Sequence, residues 1–157
     1  MKNAKIFTLV LFVLLAVAGV AYALEESSMD YSVDVFVYGK QIDFPDQKPF
    51  IDTSVNRTYV PVRFVSQALG AIVGWDENDK TVTIQKPNLS VLLKIDSDQA
   101  TTVAGEVYKT IQLDAPAILV NERTMVPLRF VSEALGAKVN WTPAPAGGGH
   151  SRVDLEQ

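Results

Sequence analysis

Arg57-Thr58-Tyr59-Val60-Pro61-Val62-Arg63-Phe64-Val65-Ser66-Gln67-Ala68-Leu69-Gly70-Ala71-Ile72-Val73-Gly74-Trp75 is written a second time, 66 residues later, as Arg123-Thr124-Met125-Val126-Pro127-Leu128-Arg129-Phe130-Val131-Ser132-Glu133-Ala134-Leu135-Gly136-Ala137-Lys138-Val139-Asn140-Trp141, with 14 of the 19 positions identical. A duplication this close means one supersecondary unit built twice. Within the unit, Thr58 to Val60 reads as extended. Pro61 suits the first turn of a helix, where a missing N–H costs nothing. The helix is predicted to run to Leu69, with Gly70 as a left-handed stop. Phe64, Val65, Ala68 and Leu69 form its apolar stripe, and Arg63 and Gln67 lie on the other side. Their counterparts Arg129 and Glu133 are spaced to interact. So short a helix does not stand alone in water and must be held by packing.

Outward from the helix, Ala71 to Trp75 reads as a strand, Asp76-Glu77-Asn78-Asp79 as a turn, and Lys80 to Gln85 as a second strand with Val82 and Ile84 inward. Upstream, Ser32 to Tyr38 alternates, with Val33, Val35 and Val37 on one side and Asp34 and Phe36 on the other. Gly39-Lys40 turns, Gln41 to Phe44 is a partner strand, and Pro45 to Pro49 is a loop. Between the copies, strands are predicted around Val91 to Ile95, Thr101 to Val103, Val107 to Leu113 and Ala117 to Val120. The second unit repeats the plan: a helix over Pro127 to Leu135, a strand over Ala137 to Trp141, and a closing strand over Arg152 to Glu156. Its Thr142 to Gly149 loop is rich in Pro, Ala and Gly and longer than its counterpart. The fold class expected is α+β: antiparallel sheets, each packed against one short helix, in a duplicated unit. The repeats span about 31–86 and 90–157.

The chain opens on Lys2 and Lys5, an apolar run from Ile6 to Val20, and a small-x-small site at Ala21-Tyr22-Ala23. That is the pattern of a secretory signal peptide over residues 1–23. A polar, acidic leader, 24–30, is expected to be flexible. Loss of Lys2 and Lys5 moves the formal charge from −4 to −6. An acidic exported chain carries no electrostatic footprint for nucleic acid, and no basic run marks an anionic membrane surface. There is no cysteine, so stability is expected from packing alone, and thiolate metal sites, lipid attachment and cysteine nucleophiles are excluded.

Candidate chemistry is sparse. The single histidine, His150, follows three glycines and reads as an exposed loop residue; a copper or zinc site needs several imidazole or thiolate ligands. Ser66 and Ser132 recur but sit mid-helix without a base. Asp76, Glu77 and Asp79 fall in a turn, where such residues are expected, and the Asp76-x-Asn78 start of a calcium loop lacks its glycine at position six, which is Thr81. Arg57, Arg63, Arg123 and Arg129 are the polar residues both copies keep. Two roles fit them: docking of a carboxylate-bearing partner, or the favoured structural role of tying loops and helix ends to the sheet. Trp75 and Trp141 end strands, either as core edges or as exposed platforms.

The tandem R-T-x-V-P-[VL]-R-F-V-S-[QE]-A-L-G-A-x-V-x-W, each followed by an alternating strand, closely resembles the copper amine oxidase N-terminal domain-like family, from about Tyr31 to Glu156. The resemblance implies a stalk-like module of exported bacterial proteins, with an antiparallel sheet wrapped against a helix. It implies no catalysis and no cofactor, because the copper histidines and the tyrosine-derived quinone belong to a different region of the oxidase. A turn that often reads Asn-Gly-Arg in the family is Val55-Asn56-Arg57 here, and Asn121-Glu122-Arg123 in the second copy.

The function expected is that of a non-catalytic binding or structural module, secreted or held at the bacterial cell envelope, with cell-wall polymer or an extracellular protein as partner. The alternative is a protein-interaction or inhibitor module acting on an extracellular enzyme through an edge strand or the Thr142 to Gly149 loop. Arg57, Arg63, Arg123, Arg129, Trp75 and Trp141 are the candidate contacts, with no catalytic, cofactor or metal residue. Nucleic acid and, after signal cleavage, membrane are not expected partners. The oligomeric state is not legible.

Overall fold

The computed structural model describes residues 28–157. The signal peptide expected over 1–23 lies outside the described residues. The end of the stretch read as a flexible leader does not: Met29–Asp30 forms a first strand, β1. The remaining elements are β2 (Val33–Val37), β3 (Lys40–Gln41), β4 (Phe50–Asp52), β5 (Arg57–Pro61), α1 (Val62–Ala68), β6 (Ile72–Asp76), β7 (Thr81–Lys86), β8 (Leu89–Lys94), β9 (Gln99–Ala104), β10 (Val107–Gln112), β11 (Ile118–Val120), β12 (Arg123–Pro127), α2 (Leu128–Ala134), β13 (Lys138–Thr142) and β14 (Ser151–Glu156). Among the described residues the fold is mostly β, with two short helices and three sheets dominated by antiparallel pairing.

The central sheet runs β1-β4-β5-β12-β11. Its middle pair joins the two copies of the repeated sequence, and the register is symmetric: Tyr59 faces Pro127, Val60 faces Val126 and Pro61 faces Met125. Residues one repeat apart thus meet at Val60 and Val126, which mark a pseudo-two-fold axis between the units. The flanking sheets cross this axis. One is β10-β9-β8-β7-β6, which joins the hairpin of the first unit to β9 and β10 of the second through β8. The other is β13-β14-β2-β3, where β14 of the second unit pairs directly, and in parallel, with β2 of the first. The two units therefore exchange edges.

Each helix begins where the strand before it ends. Pro61 and Pro127 are extended and stand immediately before α1 and α2. The helices accordingly start one residue later than expected, and the buried set shifts. Val62, Val65, Ser66 and Leu69 are buried, at i, i+3, i+4 and i+7, whereas Ala68 of the expected stripe is exposed. The helices also pack crosswise: α1 touches β12 and α2 touches β5 as well as the strands of their own units. Both end in the same way. Gly70 and Gly136 adopt φ of 81° and 85°. The N–H of Gly70 donates to the carbonyl of Gln67 at 2.9 Å and that of Ala71 to Ser66 at 2.8 Å, with Gly136 and Ala137 repeating the pattern. This is the double hydrogen bond of a glycine-terminated helix, and it takes up carbonyls the helix itself leaves open.

The main core fills the space between the helices and the sheets, with Val35, Val60, Val65, Ile84, Val91, Val126, Val131 and Leu155 at or near zero exposure. A second, smaller cluster lies on the opposite face of the central sheet: Phe50, Tyr59, Ala115 and Met125, flanked by Met29, Ile118 and Val120. Phe50 stacks on Tyr59 at 5.5 Å. The Tyr59 hydroxyl donates to the carbonyl of Pro116 at 3.0 Å, so its one polar atom is satisfied. The expected strand over Gln41 to Phe44 is shorter than its alternation promised. β3 stops at Gln41, and Phe44 turns into the core to meet Phe64 edge-on at 5.9 Å.

Candidate functional site

The strands β5 and β12 place Arg57 and Arg123 at their outer ends, and each arginine reaches across to the other unit. Arg57 donates through Nε to Asp114, and Arg123 donates through Nε to Asp46 at 2.7 Å, with its Nη2 at 2.5 Å from the same oxygen. The two ion pairs are counterparts under the pseudo-two-fold. The Arg123 hydrogen bond, supported by the N–H of Gln47, holds the Asp46 carboxyl below the usual carboxylate range, and the same pair raises Arg123. All four side chains remain partly exposed, so each pair is a surface clasp more than a stability element.

Arg63 and Arg129 behave differently. Both stand at the second position of their helices, exposed, with no hydrogen bond or ion pair to any described residue. The interaction expected between Arg129 and Glu133 is not formed. Trp75 and Trp141 lie on β6 and β13, the edge strands of the two flanking sheets, each 43% exposed and opposite a buried valine, Val82 and Val153.

These six residues come together in two grooves. Arg63, Trp75 and Arg123, with Asp46, line a groove of about 850 Å³. Arg129, Trp141 and Arg57, with Asp114, line its counterpart of about 500 Å³. Each groove therefore takes a free arginine and a tryptophan from one unit and a clasped arginine from the other. The grooves differ at their rims. The first adds Glu77, Lys80, Asp96 and Glu122. In the second unit the Pro/Ala/Gly loop replaces the charged turn that supplies Glu77, and only the Arg57–Asp114 pair and Arg129 are charged.

Asp76, His150, Ser66 and Ser132 line neither groove. Asp76 accepts from the N–H groups of Asn78 at 2.9 Å and Asp79 at 3.3 Å, closing its own turn. His150 sits 3.2 Å from Asp34 on an exposed surface. Ser66 and Ser132 are fully buried, with hydroxyls that have no hydrogen-bond partner and no base nearby. Among the described residues no three metal-ligating groups converge, and one histidine with no cysteine does not fit the donor set of a copper site.

Sequence reasoning missed Asp46 and Asp114. The signal exists but at a different spacing. β4 maps onto β11 at an offset of 68 residues, because the turn joining β4 to β5 is four residues long and that joining β11 to β12 is two. A comparison held at 66 places Asp46 against Gln112 and hides the pair.

The model of the copper amine oxidase N-terminal domain matches residues 36–145. The chain belongs to this family. A relative named "Protease inhibitor", from Brevibacillus choshinensis, is 32% identical over 128 residues, which is 82% of this chain and 37% of the relative. The chain thus spans little more than a third of the length of that protein.

Proposed function

We infer that this chain is a non-catalytic module of the copper amine oxidase N-terminal domain family that binds an extracellular protein, and that the consequence of binding is inhibition of a protease. The observation that carries this reading is the likeness to the Brevibacillus protein named for that activity, over four-fifths of the chain. The surface is consistent with it. Two related grooves offer an unpaired arginine and a half-exposed tryptophan each, the residue types that dominate protein interfaces. The signal-peptide pattern read over residues 1–23 supports a partner outside the cell.

The test is a titration of the purified chain against secreted proteases of the serine, cysteine and metallo classes, each at known active-site concentration. Stoichiometric loss of one activity supports the reading. Full activity of every protease at a large excess of the chain sinks it. A second reading, a module that holds cell-wall polymer, is favoured by the exposed faces of Trp75 and Trp141. Co-sedimentation with insoluble wall material that is lost in Trp75→Ala and Trp141→Ala variants distinguishes it.

A further inference from the structure

The geometry points to the outer edge of β11 as the docking site for one extended segment of the partner protein, added antiparallel as a further strand of the central sheet. This rests on the reading that the chain binds a protein, and it names where. The pseudo-two-fold relates β4 to β11, so that Phe50, Ile51 and Asp52 correspond to Ile118, Leu119 and Val120. The edge of β4 is already taken. β1 pairs with it through Met29 opposite Asp52 and Asp30 opposite Ile51, and the N–H of Thr53 donates to the carbonyl of Ser28 at 2.7 Å. Among the described residues the matching edge of β11 is the end of the sheet. Within the described residues it is anchored only at its start, where the N–H of Asp96 donates to the carbonyl of Ala117 at 2.8 Å.

The backbone at this edge is oriented for a new strand. Asn121 and Glu122 have φ of 48° and 61°, the left-handed pair of a two-residue hairpin. In such a hairpin Val120 and Arg123 exchange hydrogen bonds, and Leu119 opposite Thr124 is a non-hydrogen-bonded pair. The N–H and C=O of Leu119 therefore point outward, and its side chain is 54% exposed. An outward N–H and C=O on one residue recognise peptide backbone, not sugar.

β1 shows which side chains fit. Met29 closes one end of the small cluster on the outer face of the sheet, and Ile118 and Val120 form the other end, half-buried. An apolar residue of an added strand covers them. The next residue takes the place that Asp30 holds beside Ile51, on the face where Leu119 and the unpaired Arg63 line the larger groove. Arg63, Lys80 and Arg123 stand against Asp46, Glu77, Asp96 and Glu122 in that groove, so the guide to the residue there is Asp30 of β1, which is acidic. The occupant is thus an extended segment with an apolar residue followed by an acidic one, as in Met29-Asp30.

The probe is a capped synthetic peptide of residues 26–33, titrated into the isotopically labelled chain and followed by NMR. Amide shifts centred on Ile118 to Val120, weakened at least tenfold in Leu119→Pro and by an Asp-to-Lys change in the peptide, support the site. The proline removes the outward N–H without deleting a hydrogen bond to β12, and it also fixes φ at that position. Should that variant fail to fold, Leu119→Lys blocks the edge while keeping the backbone intact. Shifts confined to Phe50 to Thr53, absence of shifts, or concentration-dependent shifts of Ile118 to Val120 without peptide overturn the proposal, the last by assigning the edge to a second copy of the chain. With a protease that the chain inhibits, tenfold weaker inhibition by the Leu119 variants supports the site, and unchanged inhibition overturns it while the function stands. If no protease is inhibited, the function falls and the peptide titration alone decides the edge.

Discussion

Val60 and Val126, one repeat apart in sequence, face each other across the β5–β12 pair with no exposed surface on either. They occupy equivalent environments on a pseudo-two-fold axis, and this makes the duplication testable by energetics. Val60→Ala and Val126→Ala are each expected to cost on the order of 2 kcal/mol, with similar values for the two. The double variant will depart from additivity because the side chains share one contact. Urea denaturation of the four species checks this; a large difference between the single variants contradicts the equivalence.

Gly70→Ala and Gly136→Ala test the helix stops. Both glycines hold a left-handed φ, and an added Cβ meets nothing within 4 Å at either site. The cost is therefore conformational alone, about 1 kcal/mol each. A much larger loss in thermal unfolding would mean that the backbone rearranges.

The four repeated arginines divide by role. Arg57→Ala and Arg123→Ala are expected to loosen the clasp between units and lower the melting temperature slightly. Arg63→Ala and Arg129→Ala are expected to leave the melting temperature unchanged and weaken partner binding, because neither is paired within the described residues. Differential scanning calorimetry together with a binding assay separates the pairs. A thermal penalty for Arg63→Ala equal to that for Arg123→Ala would remove the distinction.

Acid should act partly through Asp46. Its carboxyl is held below the ordinary value of 3.8 in the folded chain, chiefly by Arg123. A group whose pKa is lowered by folding contributes stability that is present above its unfolded value and lost as pH falls through the folded one. The contribution is thus intact at neutral pH and declines below about pH 4. Asp46→Asn is expected to flatten that part of the stability–pH curve and leave its slope near neutrality unchanged. Chemical denaturation between pH 2 and 7 reads both.

Much of the fold was legible because the repeat carries local rules: proline before the helix, glycine after it, and valines in alternation along the strands. The helix phase was misread at Ala68 because the helix packs against strands of both units, and a stripe drawn for one partner omits Val62 and Ser66. The candidate arginines and tryptophans were found by recurrence alone. Their grouping was not, since each groove draws Arg57 or Arg123 from the opposite copy, and no spacing within one copy encodes that. Leu119 gave no signal at all. Its meaning comes from the strand that, among the described residues, β4 has and β11 lacks.

The parallel pairing of β14 with β2 sets Ser151 against Val33, near opposite ends of the described chain. A chain made from its N-terminus therefore exposes β2 as an open, valine-rich edge until β14 arrives. Contacts so distant in sequence close slowly, and unpaired edges invite aggregation meanwhile. Neither copy of the repeat is complete without the other, so a truncation between β7 and β8 should yield two insoluble fragments in place of two small folded proteins. The duplication thus yields two copies whose sheets are each completed by strands of the other.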